Sequence, residues 1–169
     1  MKYTENMRKG FTLIEILIVV AIIAILASVV LIGLGPTQQS GRDARRLSDL
    51  HEAQNAIELY FQKCGFYPGD INGSGATATC SANITEDYPT MSAMIPNAGI
   101  GINNALSVDP TNSGVYEYFY ATNGSTYVLG ATLENANNAV FNGYNNPLAA
   151  SGVTLTGHTC NKPEYCVSL

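Results

Sequence analysis

Residues 9–34 read KGFTLIEILIVVAIIAILASVVLIGL, and this stretch decides how the rest of the chain is read. Basic residues Arg8 and Lys9 lead into Gly10. An apolar run then begins at Phe11, carries one acid, Glu15, and from Ile16 to Ile32 holds no charge and only Ser28 as a polar side chain. As an α-helix, Phe11 to Leu34 extends about 36 Å, enough to cross a hydrocarbon layer of about 30 Å. The positive leader predicts a cytoplasmic N-terminus and a C-terminal part outside the membrane. Residues 1–10 are too short to fold and have the polar, basic character of a targeting n-region. Cleavage behind the apolar run is not expected. Its best small-residue site, Gly33-Leu34-Gly35, is followed by Pro36, and the run exceeds the about 7–15 residues of an ordinary secretory h-region.

The remaining sequence is a small polar payload. The chain has 169 residues, 46% of them hydrophobic, with ten Tyr and no Trp. Its net charge is −5, and residues 1–10 contribute +2 of that, so the part beyond Gly10 carries −7. After Leu50 only Lys63 and Lys162 oppose nine acids. Such a domain lacks the Lys and Arg needed to neutralise phosphates, which argues against nucleic acid as a partner. All four cysteines, Cys64, Cys80, Cys160 and Cys166, follow the apolar run, on the exported side of the predicted topology. An even count in an exported chain favours disulfides, and the two local pairings, Cys64–Cys80 and Cys160–Cys166, are preferred among three. Zinc is the rival reading, but there is no C-x-x-C and His158 is the only histidine near a cysteine.

Gly33, Gly35 and Pro36 are expected to weaken or kink the helix. Periodicity then resumes, with Leu47, Leu50, Ala53, Ala56 or Ile57, and Tyr60 or Phe61 on one face and most charges on the others. This predicts a helix packed on its own domain and ended by Gly65. Tyr67-Pro68-Gly69-Asp70 signals a turn, residues 71–87 read as loop, and Met91 to Ile95 as a short helix or irregular packing. Val115–Ala121 and Ser125–Leu133 flank Asn123-Gly124 and predict a hairpin. Residues 135–147 read as an Asn-rich surface loop. Val153–Thr156 and Tyr165–Val167 read as further strands or as a terminal loop tied by Cys160–Cys166.

Lys9-Gly10-Phe11-Thr12-Leu13-Ile14-Glu15 resembles the class III signal of type IV pilins and type II secretion pseudopilins. The resemblance implies that a prepilin peptidase cuts between Gly10 and Phe11 and methylates the new Phe11 amine, leaving the apolar run in the mature protein. Ala44 to Pro68 and the sheet-like pattern after Asp109-Pro110 resemble, more weakly, the layout of the major-pseudopilin-like group. The fold implied is α+β and pilin-like, with a long N-terminal helix packed by its C-terminal half on a small antiparallel sheet. The segments implied are a leader (1–10), a transmembrane and filament-core half of the helix (11–35), an amphipathic half (36–64) and an exported globular domain (65–169). The calcium site frequent in major pseudopilins is not carried over, because residues 145–169 hold only one acid, Glu164.

Glu15 is the unusual residue. A carboxylate inside an apolar bundle persists only when paired or protonated. The resemblance supplies a partner, the Phe11 amine of a neighbouring subunit, which would set the stagger between protomers. Snorkelling to headgroups, pairing with its own Phe11 amine, and protonation are the bland alternatives. Arg42, Arg45 and Arg46 read as a solvated helix face paired with Asp43 and Asp49. His51 and His158 read as structural or surface residues, and Tyr116, Tyr118, Tyr120 and Tyr127 as cover for a half-buried sheet. Asp70-Ile71-Asn72-Gly73 has the start of a calcium loop without its later ligands. With no nucleophile elbow, H-E-x-x-H or phosphate loop, neither an enzyme nor a cofactor or metal is expected. The expected function is a structural pilin or pseudopilin subunit. The alternative is a minor or tip pilin that binds a surface or takes part in DNA uptake, where nucleic acid would become a partner. Expected partners are identical or related subunits, the prepilin peptidase, the inner-membrane assembly platform and the membrane itself. The chain would sit in the inner membrane before assembly and in a periplasmic or surface filament afterwards.

Overall fold

The structure, a computed structural model, describes residues 10–69, 80 and 88–169. The leader residues 1–9, most of the 71–87 loop and the Asp70–Gly73 segment lie outside the described residues. The element order is α1 (Leu13–Cys64), α2 (Tyr88–Asn97), β1 (Tyr118–Thr122), β2 (Tyr127–Thr132), a 3-10 turn (Ala139–Phe141), α3 (Leu148–Ser151) and β3 (Glu164–Ser168). The chain divides into two compact units, the first ending at Gln38 and the second beginning at Gln39.

In the first unit α1 runs without a break in its assignment through Gly33, Gly35 and Pro36. Pro36 removes one backbone donor from this run without ending it. Between Leu13 and Val30 every side chain is exposed, with Ile14, Leu17 and Leu26 each more than half accessible. A helix apolar on all sides belongs in lipid or against other helices.

In the second unit α1 buries Leu50, Ala53, Ala56, Ile57 and Tyr60. It ends where Gly65 adopts φ +79°, its N–H donating to the Phe61 carbonyl at 2.8 Å. That left-handed conformation is open to glycine at little cost. The three strands form an antiparallel sheet in the order β1-β2-β3, with Tyr118 opposite Ala131 and Gly130 opposite Cys166. One face carries Tyr118, Tyr120, Tyr127 and Leu129 in the main core with α1 and α2; the other carries Phe119, Ala121, Val128, Val153 and the Cys160–Cys166 pair. Burial of both faces explains why β1 and β2 are buried at every position rather than at alternate ones. Disulfides join Cys64 to Cys80 and Cys160 to Cys166.

The expected elements are adjusted in three places. The first strand starts at Tyr118, because Ser113 and Tyr116 pair across a tight turn instead of extending it. Val153–Thr156 lies outside the sheet, whereas Tyr165–Val167 falls within β3. The Asn-rich 135–147 segment buries one residue, Phe141, whose ring meets Tyr144 and Tyr165 edge-on.

Candidate assembly site and the arginine lock

The helix begins with a reciprocal pair. Thr12 N–H donates to Glu15 Oε2 at 2.8 Å, and Glu15 N–H is 3.3 Å from Thr12 Oγ1. The Thr12 hydroxyl also donates to the same carboxylate oxygen at 2.6 Å. This is a capping box, in which the first-turn carboxylate and the preceding hydroxyl satisfy each other's free backbone N–H. Glu15 therefore has a local task at the start of α1, one that the T-x-x-E spacing ahead of an apolar run carries in the sequence itself. Only Oε2 is engaged; Oε1 accepts no hydrogen bond among the described residues. Phe11, next to Gly10, is 84% exposed.

A second cluster lies in the other unit. The solvated arginine face expected at Arg42, Arg45 and Arg46 holds only at Arg45, which is exposed and 3.6 Å from Asp49. Arg46 is completely buried, as is Asp43. The Arg46 guanidinium grips Asp109 with two bonds, Nε at 2.6 Å and Nη2 at 3.0 Å. It also donates to Asp43 at 2.9 Å, to Glu134 at 2.8 Å and to Thr111 Oγ1 at 3.0 Å, while Tyr116 covers it with its ring 4.9 Å away. Arg42 adds a second cation on Glu134. Asp43 in turn accepts the N–H groups of Glu134 and Asn135.

These bonds fix the charges. Burial pulls the Arg46 guanidinium down, but its bonds to Asp109, Glu134 and Asp43 outweigh that and hold it above its ordinary value. Burial pushes Asp109 up, and Arg46 with the Thr111 and Asn112 amides brings it below the usual carboxylate range. The Arg42 hydrogen bond is the main reason Glu134 is depressed to about 2. The lock ties the 109–112 and 134–135 segments to α1. Its signal was present: Asp43 and Arg46 extend the Leu50, Ala53, Ile57, Tyr60 stripe backwards at the same three- and four-residue steps.

His158 stacks on Phe119 at 3.7 Å and bonds Glu164 through Nδ1 at 2.9 Å. Burial pushes the Glu164 carboxyl up, but the Thr159 and Cys160 amides and the His158 ring outweigh it and hold it below the ordinary range. His51 is exposed on α1. No group of three or more metal-ligating side chains occurs among the described residues.

Comparison with known proteins supplies the family. The profile of the prokaryotic N-terminal methylation motif matches residues 6–31. The chain is 30% identical over 135 residues to the fimbrial protein EcpC of Eikenella corrodens, covering 76% of this chain and 77% of that protein. A type IV major fimbrial protein FimA of Dichelobacter nodosus is 30% identical over 156 residues, 90% of this chain and 83% of its own length. The chain belongs to the type IV pilin and pseudopilin family. The type II secretion system core protein G of Vibrio cholerae is 33% identical over 81 residues, with 47% of this chain and 56% of that protein aligned. No solved structure matches significantly. Glu15 lies in the first turn of α1, with Phe11 just ahead of the helix. The four cysteines and the arginine lock lie elsewhere, in the unit that begins at Gln39.

Proposed function

We propose that this pilin is a structural subunit that polymerises through its N-terminal helix. In this reading the prepilin peptidase removes residues 1–10 and methylates Phe11. Residues 11–35 first anchor the chain in the inner membrane and later form the filament core, while 36–64 and 65–169 remain outside. The observation that carries it is the wholly exposed apolar helix from Leu13 to Val30, begun by a carboxylate with one oxygen capped and the other open. The open oxygen takes the methylated amine of a neighbouring subunit's Phe11. That pairing satisfies a charge which a dry bundle of apolar helices would otherwise exclude, and it fixes the axial step between subunits. The assembly platform supplies and withdraws subunits. Relatives of both pilus and secretion type support a filament role, while abundance and position along the filament, rather than Glu15, separate a repeated subunit from a tip pilin.

Glu15→Gln separates the two tasks of this residue, since glutamine also serves in a capping box while carrying no charge. The variant should be inserted and cleaved normally but enter filaments poorly, as measured by immunoblotting of sheared filaments. Thr12→Val, which spoils the cap and keeps the charge, should assemble. Normal incorporation of Glu15→Gln would sink the proposal. Mass spectrometry of the native N-terminus tests cleavage, the expected species beginning at methylated Phe11. Immunogold labelling along filaments then tests repeated subunit against tip.

A further inference from the structure

Two Asn-Gly pairs lie among the described residues, Asn123-Gly124 between β1 and β2 and Asn142-Gly143 just after the 3-10 turn. Asparagine before glycine is open to one particular reaction, attack of the next backbone nitrogen on the side-chain amide, because glycine has no Cβ to hinder the approach. The fold holds the two pairs very differently. Asn123 Oδ1 accepts the N–H groups of Ser125 at 3.1 Å and Thr126 at 2.9 Å, and the Thr126 hydroxyl at 3.1 Å. Its Nδ2 donates to the Ser151 and Gly152 carbonyls. The Gly124 N–H, whose nitrogen would be the nucleophile, donates to Thr122 Oγ1 at 3.0 Å.

Asn142 has none of these restraints. Its own N–H bonds the Ala139 carbonyl at 3.0 Å and closes the 3-10 turn. Among the described residues neither its side chain nor the Gly143 N–H has a hydrogen-bond partner. Both residues are exposed, and a Cβ at Gly143 would meet nothing within 4 Å. Asn142 is extended, with φ −75° and ψ 112°, so the Gly143 nitrogen must swing toward the side chain before it reaches Cγ. The one bond across this tip, from Tyr144 N–H to the Phe141 carbonyl, is long at 3.4 Å. The flanks, in contrast, are fixed. Phe141 is buried, and the Tyr144 hydroxyl accepts from the Cys166 N–H at 3.0 Å and donates to the Cys160 carbonyl at 3.2 Å.

We infer that Asn142 is a site of spontaneous succinimide formation in the folded protein, converting to aspartate and isoaspartate while Asn123 is protected. The Gly143 nitrogen gives its proton to solvent and bonds to Asn142 Cγ; the Cγ–Nδ2 bond breaks and ammonia leaves. Water then opens the ring. Attack at Cγ returns the proton to the Gly143 nitrogen and leaves aspartate, whereas attack at the backbone carbonyl carbon leaves isoaspartate, with the chain running through Cγ. The only co-reactant is water. Either product adds one negative charge to a chain that already carries −5. Anchored flanks confine the change to the two-residue tip, so the product keeps its fold and accumulates. Asn123 reacts only when the hairpin opens, and a buried strand pair opens rarely. This inference stands independently of the filament reading.

The test incubates the full chain in detergent micelles at 37 °C in mildly alkaline buffer made with oxygen-18 water. Peptide mapping by mass spectrometry then follows labelled aspartate and isoaspartate at positions 142 and 123. In the folded protein Asn142 should convert at least about tenfold faster than Asn123, and in concentrated urea, where both tips are free, the two rates should fall within about threefold of each other. Folded-state rates within threefold, faster reaction at Asn123, no conversion at Asn142, or a preference for Asn142 that urea leaves undiminished would each overturn the inference.

Discussion

Replacing Arg46 by Met tests the lock most directly. Methionine keeps the unbranched stem that fills the site and removes only the cation, so a cavity is not the main consequence. Five hydrogen bonds disappear, two to Asp109 and one each to Asp43, Glu134 and Thr111. Breaking a buried ion pair from one side costs about 3–5 kcal/mol, because the partner charges stay buried. Asp109 keeps the Thr111 and Asn112 amides, Asp43 keeps those of Glu134 and Asn135, and Glu134 keeps Arg42. That residual satisfaction places the expected loss at the lower end, about 3 kcal/mol, a large part of the about 5–15 kcal/mol typical of a domain. Arg46→Lys, which retains the charge but not the two-pronged grip on Asp109, should fall between Met and the native residue. Urea unfolding of the full chain in detergent micelles, followed by near-ultraviolet circular dichroism of its tyrosines, measures both. In a double-mutant cycle, Asp109→Asn should cost less in the Arg46→Met background than alone, with coupling of at least about 1 kcal/mol. A loss for Arg46→Met below about 1 kcal/mol, or strict additivity with Asp109→Asn, would refute the reasoning.

The same lock sets a response to acid. Glu134 is depressed from 4.5 to about 2, so the stability it contributes is complete above pH 4.5 and is lost as pH falls from there through about 2. Unfolding free energy measured between pH 7 and 2 should therefore be flat and then decline, and Glu134→Gln should flatten part of that decline. Gly130→Ala would place a methyl 2.4 Å from two Phe119 ring carbons and 2.9 Å from Cys166 Sγ. The His158 stack pins that ring, so the change should cost about 1–3 kcal/mol, and Phe119→Leu should recover part of it in the same unfolding assay. Of the disulfides, Cys64–Cys80 closes 16 residues and Cys160–Cys166 closes 6. Chain entropy predicts about 3 and about 2 kcal/mol for removing each as a double Cys→Ala variant, measured by denaturant midpoint.

Much of this molecule is legible from local pattern. The long apolar run with its basic leader, the helix stop at Gly65, the hairpin around Asn123-Gly124 and the burial of Tyr118, Tyr120 and Tyr127 all follow from period and turn chemistry, which act between near neighbours. The T-x-x-E spacing of Thr12 and Glu15 carries the capping box in the same local way. Arg46 was legible only in part, as a continuation of the buried helix stripe. Its charge argues for solvent, and only Asp109 and Glu134, 63 and 88 residues further along, reverse that argument. Desolvation is decided by what surrounds a group, and those surroundings are brought together by the fold.

By itself the sequence determined that the run after Phe11 is an apolar helix with Glu15 in its first turn, because composition and spacing along one segment suffice for that. Tertiary structure decided that Arg46 is buried among three carboxylates rather than solvated. Burial and pairing are properties of contacts between distant segments, and no single stretch of chain contains them.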